Sequence, residues 1–365
     1  MTDAAPPVHG DRTSGAPSGV PPQSAPLVLR GRAVGVDEAA PGRPERPVVM
    51  AIVNRTTDSF YAPARALDDG AALEAVARAW SQGAQIVDVG GVRAGSGPVV
   101  SAAEEIRRVV PFVERVRADF PDLLVSVDTW RAEVAREAAL AGADLINDTW
   151  AGHDPALVEV AGELGVGVVC SHTGGATPRT DPFRVSYPGG GPAGRGAGAG
   201  RDAPGALSAP SEDDGYDGYD GRAAAGIRPP DPRDALVQDV VTTLTAAAAR
   251  AVACGVPAAS VLVDPTHDFG KNTWHSLHLV RRTQALAGLG HPLLMALSRK
   301  DFVGETLDLP PGERLEGTLA ATAVAAWLGA RVFRAHDVAA TRRVLDMVAA
   351  IRGDAPPAVA LRGLA

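Results

Sequence analysis

Eight short apolar runs, each followed by a segment of helical periodicity, succeed one another along this chain. That alternation constrains the fold more than any other feature. The runs are VVMAIVN ending at Asn54, QIVDVGG at Gly91, LLVSVDT at Thr129, DLINDT at Thr149, VGVVCSHT at Thr173, VLVDPT at Thr266, PLLMALS at Ser298 and RVFRAHDV at Val338. They are apolar on both sides, as strands are when helices cover a sheet. Helices are expected from about Ala66 to Ser81, from Ala102 to Asp119, from near Arg131 and from about Pro155. Further helices are expected from about Pro232 to Ala253, Leu277 to Leu286, Glu316 to Leu328, and up to about Ile351. Glycine closes several of them, as in LAGAD and WLGAR, where a left-handed residue ends the turn. Eight such units predict a parallel (β/α)8 TIM barrel over residues 46–352. The rival is an open doubly wound sheet, but no GxGxxG follows the first run and eight units exceed its usual number.

Residues 1–45 are rich in Pro, Gly, Ala and Ser without sustained period and are expected to be a disordered tail. Residues 353–365 are expected to be a short C-terminal tail. A second segment, 187–230, contains GGGPAGRGAGAGRD and DDGYDGYDG and is expected as an insertion in the barrel, because it cannot bury enough apolar surface to fold alone. A net charge of -8 without a basic run argues against a nucleic-acid partner. Neither a charge-free apolar stretch of about 18 residues nor a signal-like start is present, so no membrane partner and a cytoplasmic location are expected. Cys170 and Cys254 lie in apolar surroundings and are expected to be buried thiols. His275 and His278 stand three apart on one helix with no third ligand at metal spacing. A surface position suits them better than the centre of a metal hydrolase.

Each apolar run turns polar as it ends, at Asn54, Asp88, Asp128, Asn147, Asp148, His172, Asp264, Ser298, Lys300, Arg334, His336 and Asp337. In a barrel these ends converge on one mouth, so a ligand site is expected there. For Asp88 and Asp148 the plainer role of loop start or helix cap is preferred. Asp128, Asn147 and Asp264 offer acceptors suited to the edge of an amino-substituted nitrogen heterocycle. Lys300, Arg334 and His336 belong to the last two units, where barrels often hold phosphate. Arg334 and His336 are two apart and project to the same side. The plainer role for Arg334 is a salt bridge to a barrel carboxylate.

The motifs NRTTDSF (54–60), DVGG (88–91), SVDT (126–129), IND (146–148), DPTHDFGK (264–271), SRKDFVG (298–304) and RAHDV (334–338) resemble the dihydropteroate synthase family of pterin-binding barrels, over about 48–352. That resemblance implies condensation of 6-hydroxymethyl-7,8-dihydropterin pyrophosphate with p-aminobenzoate, with magnesium, in a homodimer. It implies that Asp128, Asn147, Asp264 and Lys300 hold the pterin. Asn54, Arg334 and His336 would hold the pyrophosphate, Asn54 beside the magnesium. Phe269, Ser298 and Lys300 would line the arylamine side, and Asp58 would belong to the first loop that completes the site. The carboxylates Asp128 and Asp264 would stabilise the carbocation left as pyrophosphate departs.

The chain also departs from that pattern. Where the family continues from the glycines of the second strand as E-S-T-R-P-G, the chain has V-R-A-G-S-G from Val92 to Gly97, with Arg93 two places early. The usual D-P-G-I-G-F-G-K becomes DPTHDFGK, with His267 expected to face solvent from the loop. The first loop lacks its usual proline at Thr57. The leading expectation is the synthase reaction. The alternatives are a weak or inactive paralogue that binds a pterin without using p-aminobenzoate productively, and a methyltetrahydrofolate-type methyltransferase.

Overall fold

In the computed structural model the described residues are 20–35, 46–55, 69–95, 97–179 and 234–362. Eight parallel strands form one sheet: β3 (Val48–Asn54), β4 (Ile86–Gly90), β5 (Leu124–Asp128), β6 (Leu145–Asp148), β7 (Gly167–Ser171), β8 (Val261–Asp264), β9 (Leu294–Met295) and β10 (Val332–Ala335). Their order is β8-β7-β6-β5-β4-β3-β10-β9, and a parallel bridge from Val263 to Leu293 joins the two ends. The expected TIM barrel is the observed one.

Side-chain alternation divides each strand between two cores. Val49, Val87, Val125 and Ile146 face the helices in one cluster, whereas Val48, Met50, Ile86, Leu124, Leu145, Val169 and Leu262 fill the lumen in another. Continuing the inward phase two residues further along β4, β5, β6, β8 and β10 reaches Asp88, Ser126 and Asp128, Asn147, Asp264 and Arg334. The lumen is thus apolar at its base and polar at its mouth. Asp148 falls in the outward phase and accepts hydrogen bonds from the backbone of Trp150 (3.1 Å) and Gly152 (2.7 Å), the turn role expected of it.

Ten helices lie among the described residues: α1 (Asp69–Ser81), α2 (Ala102–Asp119), α3 (Ala132–Leu140), α4 (Ala156–Leu164), α5 (Asp234–Ala253), α6 (Thr273–Arg281), α7 (Thr283–Ala287), α8 (Asp301–Leu307), α9 (Leu315–Trp327) and α10 (Val338–Arg352). Ser101 caps α2, its hydroxyl accepting from Glu104 N at 3.2 Å. The one helix expected near 277–286 is two, α6 and α7, and α8 was not expected because its seven residues are too few to show a period. α5 alone among the described residues is long and apolar enough to cross a membrane. Its Leu236, Val240, Leu244, Ala248 and Ala251 are buried in the core between sheet and helices.

The expected tail is corrected over 20–35. There β1 (Val28–Leu29) and β2 (Arg32–Ala33) form an antiparallel hairpin turned at Arg30 and Gly31, both at positive φ as a two-residue hairpin turn requires. Leu27, Leu29 and Val34 enter the lumen cluster and close the barrel's base. Ser24 Oγ accepts from Leu293 N (3.0 Å), and Ser260 Oγ donates to Val28 O (2.6 Å). Residues 1–19, 36–45 and the expected insertion at 187–230 lie outside the described residues. His275 and His278 are corrected too. Both are buried, His275 within the cap of α6 and His278 with Nε2 3.3 Å from Asp234. Cys170 is buried, its thiol pushed up to about 12 by burial, while Cys254 is half-buried.

Candidate functional site

Arg334 organises the floor of the mouth. From β10 its Nε donates to Asp88 Oδ2 (2.6 Å) and its Nη2 to Asp128 Oδ2 (2.9 Å). Asp88 is fully buried and also accepts from Ser126 Oγ (2.6 Å) and Asn147 Nδ2 (3.0 Å). The salt bridge to a barrel carboxylate expected as the plainer role of Arg334 is the contact observed. Asp88 is the residue sequence reasoning undervalued: its inward phase on β4, shared with Ser126 and Asp128 on β5, was the available signal. Asp128 also accepts from Thr149 Oγ1 (2.9 Å). Burial pushes the Asp128 carboxyl up to about 7 against the pull of Arg334. Asn147 lies beside Asp128 in register, its amide donating to Asp88.

Asp264 ends β8 and is held by Thr266 N (2.7 Å on Oδ1); burial raises its pKa. Arg334 and Lys300 both act electrostatically on it, so the expected pterin residues do converge. Lys300 Nζ donates to His267 O (2.8 Å) and lies 4.4 Å from the centroid of the Phe269 ring, a cation–π contact. Burial lowers the Lys300 pKa. Behind them Lys271, wholly buried and missed in the sequence, donates to His172 O (2.6 Å), Phe269 O (2.9 Å) and Thr266 O (3.1 Å), fastening the end of β7 to the loop after β8.

Thr266 (φ 50°) and Asp268 (φ 67°) adopt the left-handed conformation at the two positions where the resembled motif has glycine. Between them His267 is not the solvent-facing residue expected. It is fully buried and its ring packs on Phe302 at 5.7 Å. Neither ring nitrogen has a hydrogen-bond partner. A buried, unbonded polar group costs about 1–3 kcal/mol. Burial, with Lys300 and Lys271 nearby, holds the imidazole neutral well below its usual pKa. The unfolded chain takes up that proton near pH 6.5 and the folded chain does not, so stability is lost as pH falls through about 6.5. His267→Ile is expected to raise the thermal midpoint at pH 8 and to raise it further at pH 5.5. A gain that does not widen on acidification would show that His267 is not held neutral.

Beyond the end of β9 Ser298 Oγ is 3.0 Å from His336 Nδ1 and accepts from His336 N (3.1 Å). Burial and Arg334 push the His336 imidazole down to about 4, so it is neutral at physiological pH. Asn54 ends β3 beside Gly90, on whose other side stands Asp128. Among the described residues no three His, Cys, Asp or Glu side chains form a group that could hold a metal ion. The carboxylate that stands across Gly90 from Asn54, that of Asp128, already serves Thr149 and Arg334. The expected magnesium site is corrected on that ground. Asp58 lies outside the described residues.

The loop after β4 carries Ala94, Gly95 and Ser96 where the resembled motif has Thr, Arg and Pro. Arg93 is exposed and its guanidinium lies against Gly95 of the same loop. Gly91, at the base of the loop, lies against the buried Glu105 of α2, which pairs with Arg131.

A barrel with this ring of carboxylates, amide, arginine and lysine at the carboxyl ends of its strands defines a small-molecule-binding protein of the pterin-barrel class. The family model for pterin-binding enzymes matches residues 50–188 and 223–336. The chain is 54% identical over 327 residues to inactive dihydropteroate synthase 2 of Mycobacterium leprae, covering 89% of this chain and 98% of that one. It is 31% identical to the dihydropteroate synthase of Bacillus subtilis, covering 84% and 89%. Among solved structures, that of the Yersinia pestis dihydropteroate synthase with a sulfonamide drug complex aligns with a TM-score of 0.69 at 31% identity, covering 90% of this chain and 100% of that one. That of Mycobacterium tuberculosis Rv1207 aligns with a TM-score of 0.59 at 43% identity, covering 90% and 99%. The chain belongs to the dihydropteroate synthase family of pterin-binding enzymes. The much higher identity to inactive relatives than to synthases overturns the leading expectation, that this chain performs the condensation.

Proposed function

We propose that this chain is a paralogue of dihydropteroate synthase that binds a pterin on its floor but does not join it productively to p-aminobenzoate. One observation carries this reading: the floor around Arg334 is assembled, while the adjoining loop lacks the Thr, Arg and Pro of the resembled motif. Asp264 and Asp128 supply acceptors for the N–H groups of a pterin edge, and the Asn147 carbonyl can add a third. Phe269, under Lys300, offers an aromatic face. Holding a ring does not position an attacking amine, and lost positioning costs orders of magnitude in rate. The relatives named as inactive, at 53% and 54% identity, support the same conclusion. The homodimer implied by the resemblance and the cytoplasmic location expected from the sequence belong to this reading.

The full chain, given pterin pyrophosphate, magnesium and labelled p-aminobenzoate, is expected to form no dihydropteroate above a protein-free blank. Calorimetric titration of the same preparation is expected to detect pterin binding. Product above the blank would restore the synthase reading, and absence of any pterin binding would refute the proposal.

A further inference from the structure

The end of β6 carries a hydroxyl that reaches across to β5. Asp128 on β5 stands beside Asn147 on β6 in register. Thr149 lies two residues past Asn147, half-buried, and its Oγ1 donates to Asp128 Oδ1 at 2.9 Å. The backbone that presents it is pinned on both sides. Thr149 N donates to Asn147 O (3.2 Å), and Thr129 N donates to the same carbonyl (3.2 Å), which ties the ends of β5 and β6 together. Beyond Thr149 the Asp148 side chain accepts from Trp150 N (3.1 Å) and Gly152 N (2.7 Å) and closes the turn. The hydroxyl therefore arrives on a supported turn, the kind of placement that holds a side chain in one geometry.

What Thr149 does to Asp128 gives this placement meaning. The carboxyl is gripped by one oxygen from each side: Oδ1 by Thr149, and Oδ2 by Arg334 Nη2 at 2.9 Å. An ionised carboxylate accepts about four hydrogen bonds, so it can hold both donors and still take the N–H groups of a ligand. The terminal torsion of an aspartate is broad, and a donor on each oxygen is what fixes its plane. A donor also favours the ionised form. That second effect counts here because the carboxyl is poised. Burial pushes it up to about 7, Arg334 from β10 opposes this, Asp88 from β4 adds to it, Thr149 opposes it, and Glu105 from α2 adds to it. A protonated Asp128 would lose part of its capacity to accept.

We propose that Thr149 is a positioning residue for the pterin: by donating to Asp128 Oδ1, opposite Arg334 on the other oxygen, it holds that carboxylate as an oriented acceptor for the N–H groups of the ring. This role rests on the pterin-binding reading above. Thr149 acts through Asp128 and not by touching the ligand, so its removal changes the pH at which the floor accepts a pterin.

The test is calorimetric titration of the full chain with 6-hydroxymethylpterin between pH 5 and pH 8. Affinity of the parent is expected to fall on acidification through about 7, as Asp128 takes up a proton. Thr149→Val and Thr149→Ala both lose the hydroxyl but differ in bulk, so an effect they share belongs to the hydrogen bond. Each is expected to bind roughly tenfold more weakly at pH 6, about the worth of one hydrogen bond to a charged group. Each is also expected to move the midpoint of the affinity profile to higher pH, so that the deficit is larger at pH 6 than at pH 8. Thr149→Ser keeps the donor and is expected to stay within about twofold of the parent, with the midpoint unmoved. Thermal unfolding of the same preparations reports whether each variant is folded. A deficit equal at every pH, a midpoint that Val and Ala leave in place, or a serine variant as weak as the valine one overturns the positioning role and leaves the pterin reading standing. Failure of the pterin to bind the parent at any pH overturns both.

Discussion

Arg334→Met is expected to destabilise the protein by about 3–5 kcal/mol, the cost of stranding buried carboxylates by removing their partner. Arg334 is the cation bonded to both Asp88, which is wholly buried, and Asp128. Methionine fills much of the space and supplies no charge, so the loss is electrostatic rather than a packing defect. The direction of its pH dependence follows from Asp128, whose carboxyl already sits at about 7 because of burial even with Arg334 beside it. Without the arginine that pKa rises further above the unfolded value near 3.9. The folded state then holds the proton more tightly, and stability is lost as pH rises from about 4 through the folded pKa. The deficit of Arg334→Met should therefore be large at pH 8 and smaller at pH 5, with pterin binding lost at both. Denaturant titrations at the two pH values measure this. A deficit below about 1 kcal/mol at pH 8, or one that grows at pH 5, would show that the pairs are solvated.

Leu27→Ala combined with Leu29→Ala is expected to cost about 4 kcal/mol or more. Single truncations of buried leucine cost about 2–5 kcal/mol, and neighbours in one cluster do not add simply. Both side chains are buried in the lumen with Met50, Ile86 and Leu145. The hairpin lies at the base and the polar site at the mouth, so at temperatures where the variant stays folded its pterin affinity should equal that of the parent. A thermal midpoint within a few degrees of the parent would show that the hairpin is not part of the cooperative core. Reduced affinity in a folded variant would show that the two ends are coupled.

Much of the site was legible because parallel strands repeat one simple rule. A strand apolar on both faces that ends in a polar residue places that residue at the mouth, and this rule alone assigns Asp128, Asn147, Asp264 and Arg334 to one region. The same rule did not rank Asp88, because an aspartate near a strand end looks alike whether it caps a turn, as Asp148 does, or anchors an arginine. Helix α8 was hidden by its brevity. His267 was placed in solvent because histidine between Thr and Asp in a glycine-poor loop has the composition of a surface turn. It is buried because Lys271 and Lys300 bind the loop's carbonyls and draw it inward.

The sequence by itself determined the eight-unit barrel, the polar mouth and the altered loop after the second barrel strand, since these follow from periodicity and residue identity at fixed spacing. Only the tertiary structure decided which charges neutralise one another, that residues 20–35 close the base, and that His267 is buried. The physical reason is separation along the chain. Arg334 and Asp88 are 246 residues apart, and Lys300 binds the carbonyl of His267, 33 residues before it. Such contacts depend on the closure of the barrel and the path of its loops, which leave no periodic trace in the residues themselves.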